Sequence, residues 1–157
     1  MQMDSDFSTR GVPIHADHAT VSLNLFATPD DGRVDGGGLQ LYHVLPEDGL
    51  KSEEYNFPPD YWAIEQNRKV LDSYEKVTIP YAYNRAVLFR SDFYHQTETF
   101  HFKSGFENRR INVAMVWGED RGSGLWEHRP SEFRSAAEIP RLDMSQLTQR
   151  PQVYDPH

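Results

Sequence analysis

The chain is predicted to be mainly β, a sandwich or barrel of short strands, on three observations. Two stretches alternate apolar and polar residues with the period of a strand, Thr20 to Thr28 and His95 to Phe102. Turn formers are plentiful, with 10 Gly and 10 Pro in 157 residues. Only one stretch, roughly 59–74, carries apolar residues at helical spacing.

The elements follow in chain order. Residues 1–10 are polar and expected to fray. Gly11 to Asp17 reads as a short strand with an irregular start at Pro13. In Thr20 to Thr28, Thr20, Ser22, Asn24 and Phe26 face one way and Val21, Leu23 and Leu25 the other. Pro29-Asp30-Asp31-Gly32 is a turn, and a loop runs on to Gly36-Gly37-Gly38. That glycine run has no following lysine and helix, so it reads as a turn into the strand Leu39 to Val44, not as a phosphate loop. Pro58-Pro59-Asp60 starts a helix, and Ala63, Ile64, Asn67, Val70, Leu71 and Tyr74 mark its apolar stripe. The helix serves either as a lid or as a brace on the outside of the barrel. Strands follow at Val77 to Tyr81 and Ala86 to Arg90, around a turn near Tyr83-Asn84, then at His95 to Phe102 and Arg109 to Trp117. The globular domain thus spans 11–118, and 119–157 is an irregular extension expected to pack over it. Trp62, Trp117 and Trp126 read as packing residues.

Composition narrows the function classes. A net charge of −8 weighs against a nucleic-acid partner. With no cysteine, disulfides, thiolate metal sites and cysteine nucleophiles are all excluded. The same absence fits a reducing cytosol, so a cytoplasmic location is expected. No apolar run approaches a membrane span and no signal-peptide pattern opens the chain, so no membrane partner is expected.

The chemistry-bearing residues are His15, Asp17, His95 and Arg110. In His15-Ala16-Asp17, residues i and i+2 of a strand face one side, so both can reach one ion. His95 opens a second inward-facing strand and can supply a third donor. Two imidazoles and a carboxylate on one face of a metal leave the opposite face open, the arrangement of non-haem Fe(II) centres. His18 has the wrong parity, His43 and His101 are rivals on sequence proximity, and His128 and His157 read as surface residues of the tail. Parity also separates the two arginines. Arg110, Asn112, Ala114 and Val116 form the narrower, more polar face of their strand, so Arg110 turns inward and Arg109 outward with Ile111. A buried guanidinium without an anion is costly, so an inward Arg110 asks for a carboxylate.

These strings together resemble the 2-oxoglutarate- and Fe(II)-dependent oxygenases. The likeness includes His15-x-Asp17, Ser22-Leu23-Asn24-Leu25, Gly36-Gly37-Gly38-Leu39, Asn84-Arg85-Ala86-Val87-Leu88-Phe89, His95, and Glu107 to Val113. It is especially similar to a bacterial group of uncharacterised oxygenase-like domains, some attached to tetratricopeptide repeats, and covers about 11–118. The resemblance implies a double-stranded β-helix, a cupin-like jelly-roll barrel. It implies Fe(II) on His15, Asp17 and His95, and 2-oxoglutarate as co-substrate with its distal carboxylate on Arg110. Asn112 and Asn24 would be further co-substrate contacts, and Tyr42 and Tyr94 would line the pocket. The implied reaction uses O2, with ascorbate as an auxiliary reductant, to hydroxylate a small molecule or a peptide side chain. Because Asp17 is retained, oxygenation is favoured over halogenation. Family members usually carry a longer N-terminal part with bracing helices and another strand, whereas here the His-x-Asp motif comes almost at once. Three readings fit that departure: a minimal enzyme, an excised fragment, or a subunit that completes its barrel by pairing into a homo-oligomer. Two other classes fit the same residues: a jelly-roll binding module without turnover, and a cupin-like metalloenzyme with three histidines and no 2-oxoglutarate.

Overall fold

The computed structural model describes residues 7–9, 11–50, 52–56, 61–118 and 139–147. The first six residues, Trp126, His128, His157, most of the C-terminal extension and the predicted helix start at Pro58-Pro59-Asp60 lie outside them, as does the side chain of Trp62.

The fold is mainly β, in three small antiparallel sheets of three strands each. Strands β1 (Phe7–Thr9), β2 (Val21–Phe26), β3 (Arg33–Gly36) and β4 (Leu39–Tyr42) come first. Helices α1 (Ser52–Tyr55) and α2 (Tyr61–Leu71) follow, then β5 (Lys76–Ile79), β6 (Ala86–Arg90), β7 (His95–Thr97), β8 (Phe100–Phe102) and β9 (Asn112–Trp117). The sheet orders are β1-β8-β3, β6-β2-β9 and β5-β4-β7. Among the described residues no helix is long and apolar enough to cross a membrane.

Two apolar clusters divide the interior. Phe26 and Phe89 of β6-β2-β9, Leu39 of β5-β4-β7, Phe100 and Phe102 of β1-β8-β3, and Tyr81 form one cluster shared by the three sheets. Tyr42, Val44, Tyr55, Leu71, Tyr94, Leu142 and Leu147 fill the other side of β5-β4-β7, under the helices and residues 139–147. Strand parity sorts the side chains between them. Leu39, Leu41, His95 and Thr97 share one face, and Tyr42 and Tyr94 point the other way. The inserted helix therefore braces the outside, with Leu71 and Asn67 buried.

Several elements differ from the sequence expectation. The N-terminal segment does not simply fray: Phe7–Thr9 pairs with β8. Gly11 to Asp17 is not a continuous strand. Only His15 forms a bridge, to His95, while the Asp17 amide donates to the Ser91 carbonyl instead of extending that register. The loop before Gly36 contains β3, with a register shift between Arg33 and Asp35. The stretch from His95 to Phe102 breaks after Thr97, and its second half joins a different sheet. Trp117 does not pack: it is 49% exposed on the edge strand β9. The expected turn near Tyr83-Asn84 is present, with Asn84 at a left-handed φ of 59° that asparagine tolerates. Of the extension, Leu142 and Leu147 are buried, and Arg141 bridges to Leu45 in parallel.

Candidate metal centre

His15, Asp17 and His95 meet. Among the described residues they form a cluster whose donor atoms all lie within 4.8 Å of one another. His15 Nε2 is 3.5 Å from Asp17 Oδ1, and His95 Nε2 is 3.7 Å from Asp17 Oδ2. The two imidazole rings are 4.3 Å apart and tilted by 53°. The local fold explains the meeting. His15 and His95 exchange both backbone hydrogen bonds, at 3.0 and 2.8 Å, so the two ligands sit on one rung of the ladder.

The groups around the cluster suit a metal. His15 Nδ1 lies 2.8 Å from the Pro13 carbonyl, and His95 Nδ1 lies 2.9 Å from the Phe93 carbonyl. A carbonyl only accepts, so each Nδ1 carries a proton; neutral His95 keeps its Nε2 lone pair for an ion, and His15 Nε2, which faces Asp17, gives up its proton when an ion binds. Ser22 Oγ donates to Asp17 Oδ2 at 2.7 Å and lies 2.8 Å from Ser91 Oγ. Asn56 clamps the residue between the two upstream ligands: it accepts from the Ala16 amide at 2.8 Å and donates to the Ala16 carbonyl at 3.1 Å. The Phe89 ring stands edge-on to His95, with centroids 5.0 Å apart.

Protonation follows from burial and neighbours. Burial, reinforced by the charge of His15, pushes the pKa of His95 down to about 4, against the Phe93 carbonyl and Asp17. Burial also acts on His15, but the hydrogen bond to Asp17, the Pro13 carbonyl and the aspartate charge outweigh it and raise its pKa. Burial opposes ionisation of Asp17, yet hydrogen bonds from His15 and Ser22 and the two histidine charges leave its pKa below the ordinary value. An ionised carboxylate beside a neutral buried imidazole is a ready donor set for a divalent cation.

Arg110 lies farther down the same interior. Its guanidinium is 5.2 Å from the Phe100 ring and 5.8 Å from the Phe26 ring. Its Nε and Nη2 both donate to the Gly37 carbonyl, at 3.2 and 3.0 Å. Burial lowers its pKa, opposed by Tyr81, and no carboxylate among the described residues pairs with it. Between Arg110 and the cluster, Asn112 Nδ2 is 3.4 Å from Asn24 Oδ1, and Asn112 Oδ1 is buried with no hydrogen-bond partner among the described residues. Asn24 is buried on the polar face of β2, as its alternation implied. The wall predicted from Ala114 and Val116 is open, since both are exposed.

The rival ligands stay apart. His18 and His43 are exposed, and His101 lies on β8 in another sheet. Tyr94 does not line a pocket: it is buried in the outer cluster and donates to the Tyr55 carbonyl. Tyr42 belongs to the same cluster, its hydroxyl accepting from Gln96 at 2.7 Å, and it also lines the cavity beside Leu41, Val77, Phe89 and Phe93. Sequence reading left Ser22, Ser91, Asn56 and Phe89 without a role. Ser22 carried a signal, a hydroxyl on the polar face of an alternating strand, whereas Asn56 belongs to an insertion with no strand period. No family model, no curated protein and no solved structure matches the chain.

Proposed function

We propose that the chain is a non-haem Fe(II)- and 2-oxoglutarate-dependent dioxygenase, built on a double-stranded β-helix, that hydroxylates a small molecule or a peptide side chain. The reading is carried by one pairing of observations: a two-histidine, one-carboxylate cluster, and a half-buried arginine without a carboxylate further along the same interior. A cupin-like three-histidine site is disfavoured, because the third donor is Asp17 and no third histidine joins the cluster among the described residues.

Bound iron supplies the oxidising chemistry, coupling decarboxylation of 2-oxoglutarate to hydroxylation of a C–H bond. The chain's residues set the geometry. His15, Asp17 and His95 would hold the ion, and Ser22 engages one Asp17 oxygen so that the other is turned to His15. From Ser22 to Phe26, β2 spans about 13 Å at ~3.3 Å per residue, a gap that an arginine side chain and a short diacid bridge together. Arg110 would take the far carboxylate as a charge-assisted fork. A half-turn of both amides keeps the Asn24–Asn112 bond and presents an N–H2 in place of the unpartnered Asn112 oxygen, which suits an anionic co-substrate.

The test is succinate formation in air from the purified chain with Fe(II), ascorbate and 2-oxoglutarate. Turnover above a His95→Ala control is expected, and Arg110→Ala should need far more 2-oxoglutarate for the same rate. Equal succinate from the chain and the His95→Ala control overturns the enzyme reading in favour of a binding module.

A further inference from the structure

A cavity of about 420 Å³ opens beside the metal cluster, between the inner faces of the two sheets. Leu41 and Val77, register partners on β4 and β5, form one wall. Phe89 of β6 and Phe93, in the turn that leads to His95, form the other. Three of these residues also build the cluster's surroundings. Leu41 is the register partner of His95, the Phe89 ring stands against the His95 ring, and the Phe93 carbonyl accepts from His95 Nδ1. A group in the cavity would therefore touch side chains that themselves pack against a metal-capable histidine.

The walls are mainly apolar, with Tyr42 and His43 next to Leu41. Val77 sits on the inner face yet is 55% exposed, so the sheets are splayed where β5 approaches β6. A concave apolar surface of this size is the usual form of a small-molecule site. The charges at the rim select the ligand further. Arg90 is already forked onto Asp92, at 2.9 and 2.5 Å, and Lys76 holds Asp72 at 2.5 Å. Glu75 also lines the cavity, exposed and with no ion-pair partner among the described residues. An anionic ligand would meet committed cations and a free carboxylate.

We propose that this cavity seats the prime substrate and takes a neutral, ring-sized apolar group, aromatic or branched aliphatic. The identity of the occupant as substrate rests on the oxygenase reading; the apolar, anion-rejecting character of the cavity does not.

The experiment uses the full chain, with indole and indole-3-carboxylate as probes followed by ligand-observed NMR. Manganese(II) is the paramagnetic ion at the triad, its binding read by electron paramagnetic resonance, and zinc(II) is the diamagnetic control. Indole should bind, and indole-3-carboxylate should bind markedly more weakly. Val77→Asp, at an exposed wall position, should weaken indole by about tenfold, because a charge in an apolar wall must stay hydrated. Phe93→Ala should weaken it too, and manganese but not zinc should broaden the indole resonances. Indole binding unaffected by both substitutions, or indole-3-carboxylate binding as well as indole, overturns the proposal even when manganese binds the triad. Binding of indole and manganese without broadening overturns the substrate assignment. Failure of manganese to bind overturns the oxygenase reading, while the indole titrations still decide the character of the cavity.

Discussion

At the scale of single residues, His95 dominates the pH response. Its pKa in the fold is about 4, below the ordinary histidine value of 6.5. Between those limits the unfolded chain binds more protons, so stability falls as pH falls. The raised pKa of His15 acts in the opposite sense, but its contribution is lost only above 6.5, so it leaves the acid window to His95. Metal-stripped protein should therefore lose on the order of 3 kcal/mol between pH 6.5 and 4, and His95→Gln should flatten that slope, as urea unfolding at several pH values would read. The cluster itself was legible in the sequence. Strand parity put His15 with Asp17 and Arg110 with Asn112, and the structure brings the three metal-capable residues together. Ser22 and Ser91 could not be assigned, because a serine–carboxylate contact between distant segments has no local signature.

At the scale of elements, the residue that follows α1 does what a strand partner would do. The segment around Ala16 has no continuous ladder, and the Asn56 amide supplies a donor and an acceptor to the Ala16 backbone in its place. Asn56→Ala should leave the fold intact and loosen the His15–Asp17 spacing. We expect metal affinity to drop by about tenfold, in the range seen when groups supporting metal ligands are removed, and calorimetric titration with Mn(II) would measure it. The alternating strand β2 is readable to within two residues, and β6 at its own bounds. Irregular pieces are not. β3 hides in a loop of glycines and acids, the break after Thr97 falls inside an alternating run, and α1 has one turn, too short for a helical period. In each case tertiary pairing, not local preference, decides the outcome.

At the scale of the whole molecule, the outer face of β6-β2-β9 is the anomaly. Leu88 is 67% exposed, Trp117 49% and Met115 41%, and their register partners on β2 are Leu23 and Val21. Scattered surface leucines are ordinary, but a contiguous face is not. The protein should bind an apolar fluorescent dye in its native state, and Leu88→Lys with Met115→Lys should remove most of that signal without lowering the urea midpoint. The rung shared by His15 and His95 has a consequence for the entire chain. A cation gripping both imidazoles would cross-link two positions that an unfolded polypeptide lets wander apart, much as a disulfide does. In a chain-entropy picture, closing a loop of that length is worth about 4 kcal/mol, so a chelator should lower the melting temperature of loaded protein and leave His95→Ala unmoved. Occupancy would then be recorded in the slowest-exchanging amides of the fold, with those of His15 and His95 the first to quicken when the ion is withdrawn.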